Sequence, residues 1–348
     1  MPPLYITTQG AKLCYRKRRL VVEKVNQRGE GVEVAAVPAV HVDQVLIFGN
    51  VSVTTPALSY LLASEIDTTF LTRRGRYKGR LVGPSGGNGQ LRMRQYQRAL
   101  DEEWALETAR AIVTTKLHNT RTLLRRYARR RRTAEIGPPQ ETDALESAAD
   151  QLSDLIARAE RCRTVNSLNG VEGRGAAVYF SVFRCLIQGE EWEFAGRNRR
   201  PPRDPVNALL SFGYTVLTHN VESAVRAVGL DPYIGFLHQV AYNRPSLALD
   251  LVEEFRAIVV DSVVLRCLNN QIIRPRHFYV TPDGDYPVII DDEGRTLLIR
   301  ELEARFNLTF KHPDTEETVT YRRCFELQAR RLARCLQSGK PYRPFKVR

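Results

Sequence analysis

The sequence changes its hydrophobic period once, and that change divides the chain. Before it, β-branched and apolar residues come in short runs: Leu4 to Thr8, Leu20 to Val25, Val32 to Val37, Gln44 to Phe48 and Asp67 to Leu71. Gln27-Arg28-Gly29-Glu30-Gly31 and Gly49-Asn50 punctuate these runs as turns. Thr55-Pro56 opens one short helix, with proline at its first position. The glycine-rich stretch from Leu81 to Gly89 has no G-K-[ST] after it, so it reads as a boundary and not as a nucleotide loop. From Leu91 onward the spacing is helical. The expectation is an α+β chain: a small N-terminal β-sheet domain over 1–84, a linker at 85–90 and a large, mainly α-helical domain over 91–348.

Within the second part, Leu91 to Arg126 carries Leu100, Trp104, Leu106, Ala109, Ile112, Val113 and Leu117 at helical spacing, and Gly137-Pro138-Pro139 is a stop. Glu141 to Arg163 is a second amphipathic helix. Asp204-Pro205 caps a third, which runs to Gly229 with Leu209, Leu210, Tyr214, Leu217, Val221 and Val225 as its core stripe. Asn207 reads as part of that cap, and His219 as an ordinary helix histidine. A hairpin follows Pro275 (Phe278 to Val280, Tyr286 to Ile290, turning at Asp283-Gly284), then a helix from Thr296 to Phe306. A basic helix closes the sequence; Phe325, Leu327, Leu332 and Leu336 should dock while Arg330, Arg331 and Arg334 stay outside.

Charge is the strongest global signal. The 348 residues carry a formal +13, much of it arginine, and seven arginines fall between Arg121 and Arg132. Arginine suits bidentate phosphate contact, so nucleic acid is one partner class; a solvated helix face accounts equally for a charge run. The candidate contacts are Arg125, Arg126, Arg129, Arg174, Arg199, Arg200 and Arg244. Six scattered cysteines argue against a zinc ribbon or a redox C-x-x-C pair and suit a reducing compartment. With no apolar window of membrane length and no basic-then-apolar leader, a soluble, cytoplasmic protein is expected.

One stretch concentrates the chemistry. Gly229 to Arg256 places His238 before a break at Asn243-Arg244-Pro245, then Asp250 and Glu253 three apart on an apolar helix, where they share a face. Carboxylates at the rim of a core are costly unless a positive group meets them. Glu172 follows the turn-like Asn169-Gly170, where a helix N-terminus would favour it; capping charge and metal ligand both remain open. Small residues Gly173, Gly175, Ala176 and Ala177 would let that helix pack closely. Three nitrogen and oxygen ligands without cysteine suit Mg²⁺ or Mn²⁺ better than a structural zinc, and no H-E-x-x-H is present.

With these residues in view, the chain resembles the CRISPR-associated integrase family of spacer acquisition, the first of the numbered Cas proteins. E-G-R-G-A-A-V-Y-F at 172–180, N-A-L-L-S-F-G-Y at 207–214, G-L-D-P-Y-I-G-F-L-H at 229–238 and R-P-S-L-A-L-D-L-V-E at 244–253 stand in that family's order. The resemblance implies that Glu172, His238 and Glu253 hold the metal, with Asp250 supporting the site or joining the coordination. It implies a metal-dependent DNA endonuclease and integrase that inserts short foreign fragments into a repeat array by attack of a 3′-hydroxyl. Implied partners are double-stranded and branched DNA, a second copy of the chain in a homodimer, and the small ferredoxin-like CRISPR-associated protein. A general nuclease for branched DNA and a non-catalytic nucleic-acid binder are the rival readings.

Overall fold

The computed structural model describes residues 3–26, 31–73, 75, 77–83, 88–198, 201–281 and 287–347. The chain forms two compact units, Met1–Gly86 and Gly87–Arg348. In the first, β1 (Leu4–Ile6), β2 (Ala11–Arg16), β3 (Arg19–Val25), β4 (Gly31–Pro38), β5 (Gln44–Phe48) and β6 (Val51–Val53) are followed by α1 (Thr55–Ala63), β7 (Asp67–Leu71) and β8 (Tyr77–Leu81). The strands make two four-stranded sheets, ordered β4-β3-β2-β6 and β1-β5-β7-β8. β5 and β7 are parallel, which requires a crossover, and α1 lies in it. Thr54 accepts a hydrogen bond from the Ala57 N–H and Pro56 sits in the first turn, so α1 starts where the sequence predicts. Leu13, Leu20, Val45, Ile47, Leu61 and Ile66 meet in the core.

β2 is a strand that the sequence reading does not contain. It pairs with β3 through a two-residue turn whose residues, Lys17 and Arg18, have φ of 49° and 60°. Both are left-handed, the turn favoured by strand twist, but it is built without the glycine or asparagine that usually signals it. β6 and β8 are likewise additions. The anticipated turn at 27–30 lies outside the described residues, as do residues 84–87 of the boundary stretch.

The second unit is helical: α2 (Gly89–Leu100), α3 (Glu102–Ala134), α4 (Pro139–Glu160), α5 (Val165–Ser181), α6 (Pro205–Ala227), α7 (Ser246–Val252), α8 (Ser262–Asn269), α9 (Asp292–Phe306) and α10 (Tyr321–Ser338). Two small antiparallel pairs interrupt it, β9 (Phe278–Val280) with β10 (Val288–Ile290) and β11 (Thr309–Lys311) with β12 (Thr318–Thr320). Gly89 and Gln90, expected in the linker, open α2, because the Asn88 side chain caps that helix at the Leu91 N–H. The single helix expected from Leu91 breaks at Asp101, whose carboxylate accepts from the Trp104 N–H and starts α3. No helix among the described residues is long and apolar enough to cross a membrane. All six cysteines are free thiols, five of them buried.

A segment beyond α10 returns to the middle of the unit. Asn119 on α3 donates to the carbonyls of Glu254 (2.8 Å) and Phe345 (2.9 Å) and accepts from the Val347 N–H (3.0 Å). The buried Glu254 carboxylate takes the Tyr342 hydroxyl (2.7 Å), the Phe345 N–H (2.6 Å) and the Gln328 amide (2.9 Å). Burial pushes this carboxyl up to about 7 against those three donors.

Candidate active site

α3, α5 and the stretch around α7 bring the site together. α5 begins at Val165, where Thr164 caps the Ser167 N–H. Asn169-Gly170 is therefore inside the helix and not a turn, and Glu172 is two turns in, so the dipole explanation for this acid does not hold. Gly175 shows why α5 can lie so near α3. A Cβ on it would stand 2.3 Å from the Leu117 side chain. Gly173 and Ala177, by contrast, face outward.

On the facing side, the loop before α7 folds onto the buried Asp250. Its carboxylate accepts the backbone N–H of Phe236 (2.6 Å), Leu237 (3.0 Å) and His238 (2.9 Å), and His238 Nδ1 lies 2.7 Å from Oδ1. A carboxylate saturated by donors can only accept, so Nδ1 carries the imidazole proton and Nε2 presents its lone pair. Nε2 is 3.9 Å from Glu253 Oε1. Gly235 is required here as well, since a Cβ would come within 2.6 Å of Asp250 Oδ2. Asp250 thus orients the histidine, and its four donors leave it no free face.

Lys116 is the residue that sequence reasoning missed. Its ammonium pairs with Glu172 and lies 2.7 Å from Glu253 Oε2, an ion pair whose direction misses hydrogen-bond geometry. In the sequence it shows only as a polar residue in register with Ile112 and Val113, on a helix face that buries its neighbours. Arg256 adds a second cation, 3.3 Å from Glu253 Oε1 and stacked 4.9 Å above the Tyr214 ring. Burial would push the Glu253 carboxyl up; Arg256 and Lys116 outweigh it and hold it down at about 2. Beyond Arg256, the hydroxyls of Tyr214 (2.6 Å) and Tyr179 (2.8 Å) donate to Asp261, which burial nevertheless pushes up to about 6.

Glu172 and Glu253 therefore meet at the Lys116 ammonium, and His238 approaches the other oxygen of Glu253. Among the described residues, no three His, Cys, Asp or Glu side chains form a ready-made metal cage. The chemistry of the set still suits a hard divalent ion: two carboxylates sharing one positive charge, an imidazole lone pair beside them, and a buried Glu253 Oε2 without a hydrogen bond.

The other expected residues are dispersed. Arg125 is exposed and 3.1 Å from Asp150; Arg126, Arg129 and Arg174 are exposed, and Arg244 is half-buried. Arg199 and Arg200 lie outside the described residues. Arg131, from the same arginine run, is buried and bound to Glu141 and the Cys185 carbonyl. Arg331, expected on the outside, is held by Asp314 (2.5 Å) and the Arg343 carbonyl (3.0 Å). Asp204, not Asn207, caps α6, accepting from the Asn207 N–H at 2.8 Å, and the Asn207 side chain turns to the loop before it. That side chain accepts from Arg197 (2.6 Å) and the Asn198 N–H (3.1 Å) and donates to the Gly196 carbonyl (2.8 Å), pinning that loop.

Comparison with known proteins places this geometry. A family model described as CRISPR associated protein Cas1 matches residues 4–304. A Cas4/Cas1 fusion from Geobacter sulfurreducens is 39% identical over 98% of the chain, which spans 59% of that longer protein. The CRISPR-associated endonuclease Cas1 2 of Rhodospirillum rubrum is 36% identical over 96% of this chain and 94% of its own. Among solved structures, a Cas1 protein from Thermotoga maritima superposes with a TM-score of 0.79 at 25% identity, covering 100% of both chains. A casposase bound to integration product shares the fold at TM-score 0.83 and 23% identity, covering 99% of this chain and 93% of that one. Four motifs in order, the two-unit fold and these relatives agree: the chain belongs to the Cas1 family of CRISPR-associated endonucleases.

Proposed function

We propose that the protein is a metal-dependent DNA endonuclease and integrase that joins short foreign DNA fragments to a repeat array. The observation that carries this is the convergence of Glu172 and Glu253 on one positive charge with the His238 lone pair beside them. Glu172, Glu253 and His238 Nε2 would hold Mg²⁺ or Mn²⁺. When bound, such an ion offsets charge on a non-bridging phosphate oxygen and orients the nucleophile.

The chain's own groups supply the rest. Asp250 fixes the His238 tautomer, and Arg256 keeps Glu253 ionised and in place. Lys116 and Arg256 offer donors to a phosphodiester that enters beside the half-exposed Glu172. In joining, a DNA 3′-hydroxyl attacks the phosphorus and the displaced strand leaves on its own 3′-oxygen; in cleavage, water takes that position. One phosphodiester is exchanged for another, so no nucleotide is consumed.

A solved partial Cas6-RT-Cas1–Cas2 complex shares the fold at TM-score 0.65 and 25% identity; with it in view, the working unit would join the small ferredoxin-like partner, as a homodimer, and act on double-stranded and branched DNA in the cytoplasm. Glu172→Ala tests the proposal with labelled duplexes, a repeat-bearing plasmid and Mn²⁺. Loss of both cleavage and joining with DNA binding kept is the expected result. Surviving activity would remove Glu172 from the site, and cleavage without joining, even with the partner present, would leave a general nuclease.

A further inference from the structure

We infer that Lys116 is the resident counter-cation of this site: it holds the two glutamates together in the metal-free protein and is displaced by the divalent ion. The inference rests on the metal-dependent reading above and gives Lys116 a second role, before the metal and DNA arrive.

The two cations of the site are built differently. Arg256 is locked, stacked 4.9 Å over Tyr214 and paired with Glu253 at 3.3 Å. Lys116 carries its charge on a flexible four-carbon stem and is paired to both acids through the ammonium. Its side chain is 12% exposed, and it stands between Glu172 at 24% and Glu253 at 3%. Two carboxylates this close would repel, and one buried this deeply needs a positive neighbour; Lys116 supplies it.

A divalent ion on the same oxygens would face the ammonium at contact range. Like charges at that distance cannot share the position, and the mobile one yields. The inner side gives it nowhere to go. The cavity between Tyr179, Tyr214, Arg256 and Asp261 holds about 30 Å³, room for a water and not for a lysine head and stem. Lys116 therefore swings toward the Glu172 side, which is the open one, where a phosphate oxygen of bound DNA is the matching anion. Metal entry thus exchanges an internal ion pair for a lysine–phosphate contact.

The test is Mn²⁺ titration of the DNA-free full chain, by calorimetry or by the electron spin resonance of the free ion, for wild type, Lys116→Met, Lys116→Arg and Glu172→Ala. Lys116→Met should bind Mn²⁺ about tenfold more tightly, since a competing charge is removed. Its melting temperature in EDTA should fall below wild type, and added Mn²⁺ should raise it by more. Joining and cleavage at saturating Mn²⁺ should fall, because the phosphate contact is lost. Lys116→Arg should bind the ion no more tightly than wild type. Unchanged or weaker Mn²⁺ affinity in Lys116→Met overturns the inference, and Lys116→Gln gives the same reading if the methionine variant does not fold. Glu172→Ala separates the two layers: if it binds Mn²⁺ as wild type does, the metal reading itself fails, whatever Lys116 does.

Discussion

Asp250 illustrates how much one residue can decide. Four donors fall on its two oxygens, three from consecutive backbone N–H groups and one from His238 Nδ1. Asp250→Asn would turn one acceptor into an amide donor facing groups that also donate. The expected result is a histidine in the wrong tautomer or turned away, and Mn²⁺ affinity about 10–100-fold weaker, the usual range when a ligand's orienting carboxylate is lost. Titration with Mn²⁺ checks it; unchanged affinity would mean that His238 Nε2 is not a ligand. Sequence alone left Asp250 between supporting and coordinating. The distinction depends on backbone amides, which carry no side-chain signature.

At the scale of elements, the α3–α5 approach is the quantity to perturb. Gly175→Ala places a methyl where Leu117 already stands, and overpacking of this kind costs about 1–3 kcal/mol. Thermal or denaturant unfolding should show that loss, and Leu117→Val in the same chain should recover part of it. A fall in stability without any such recovery would argue for a backbone effect within α5. Helix existence, the period switch and the β9–β10 strand pair were legible from the apolar pattern, while the turn expected at Asp283-Gly284 lies outside the described residues. Helix starts were less so: Thr164 caps α5 eight residues ahead of Glu172 and Asp101 splits α2 from α3, both through local capping that outweighed the apolar spacing. The site acids were legible through the family's motifs. Lys116 was not, because a lysine inside an apolar stripe reads as a gap in the stripe until its partners from two distant segments are seen.

For the whole molecule, the excess of positive charge should set how the proposed DNA partner is met. With +13 overall and Arg126, Arg129 and Arg174 exposed, most of the binding free energy should come from released counterions. Raising salt from about 50 to about 200 mM should lower affinity about 10³-fold or more if six or more phosphates are engaged. Fluorescence anisotropy with a labelled duplex measures the slope. A flat response would mean that the arginines serve protein surfaces instead.

Glu253 and Glu254 are neighbours in the chain, yet one faces Lys116 and the other receives Tyr342 and Phe345. The backbone makes this divergence possible. After α7 the Glu253, Glu254 and Phe255 N–H groups bond three residues back, an overwound stretch, and Arg256–Asp261 then widens into a π-helical turn whose Ile258 carbonyl is taken by Arg305. A residue deleted from the wide turn would rotate everything beyond it by about 100° relative to Glu253. Asp261 would then leave the Tyr179 and Tyr214 hydroxyls it now receives, while Arg256, ahead of the deletion, stayed on Glu253, so length in this span is constrained as tightly as composition.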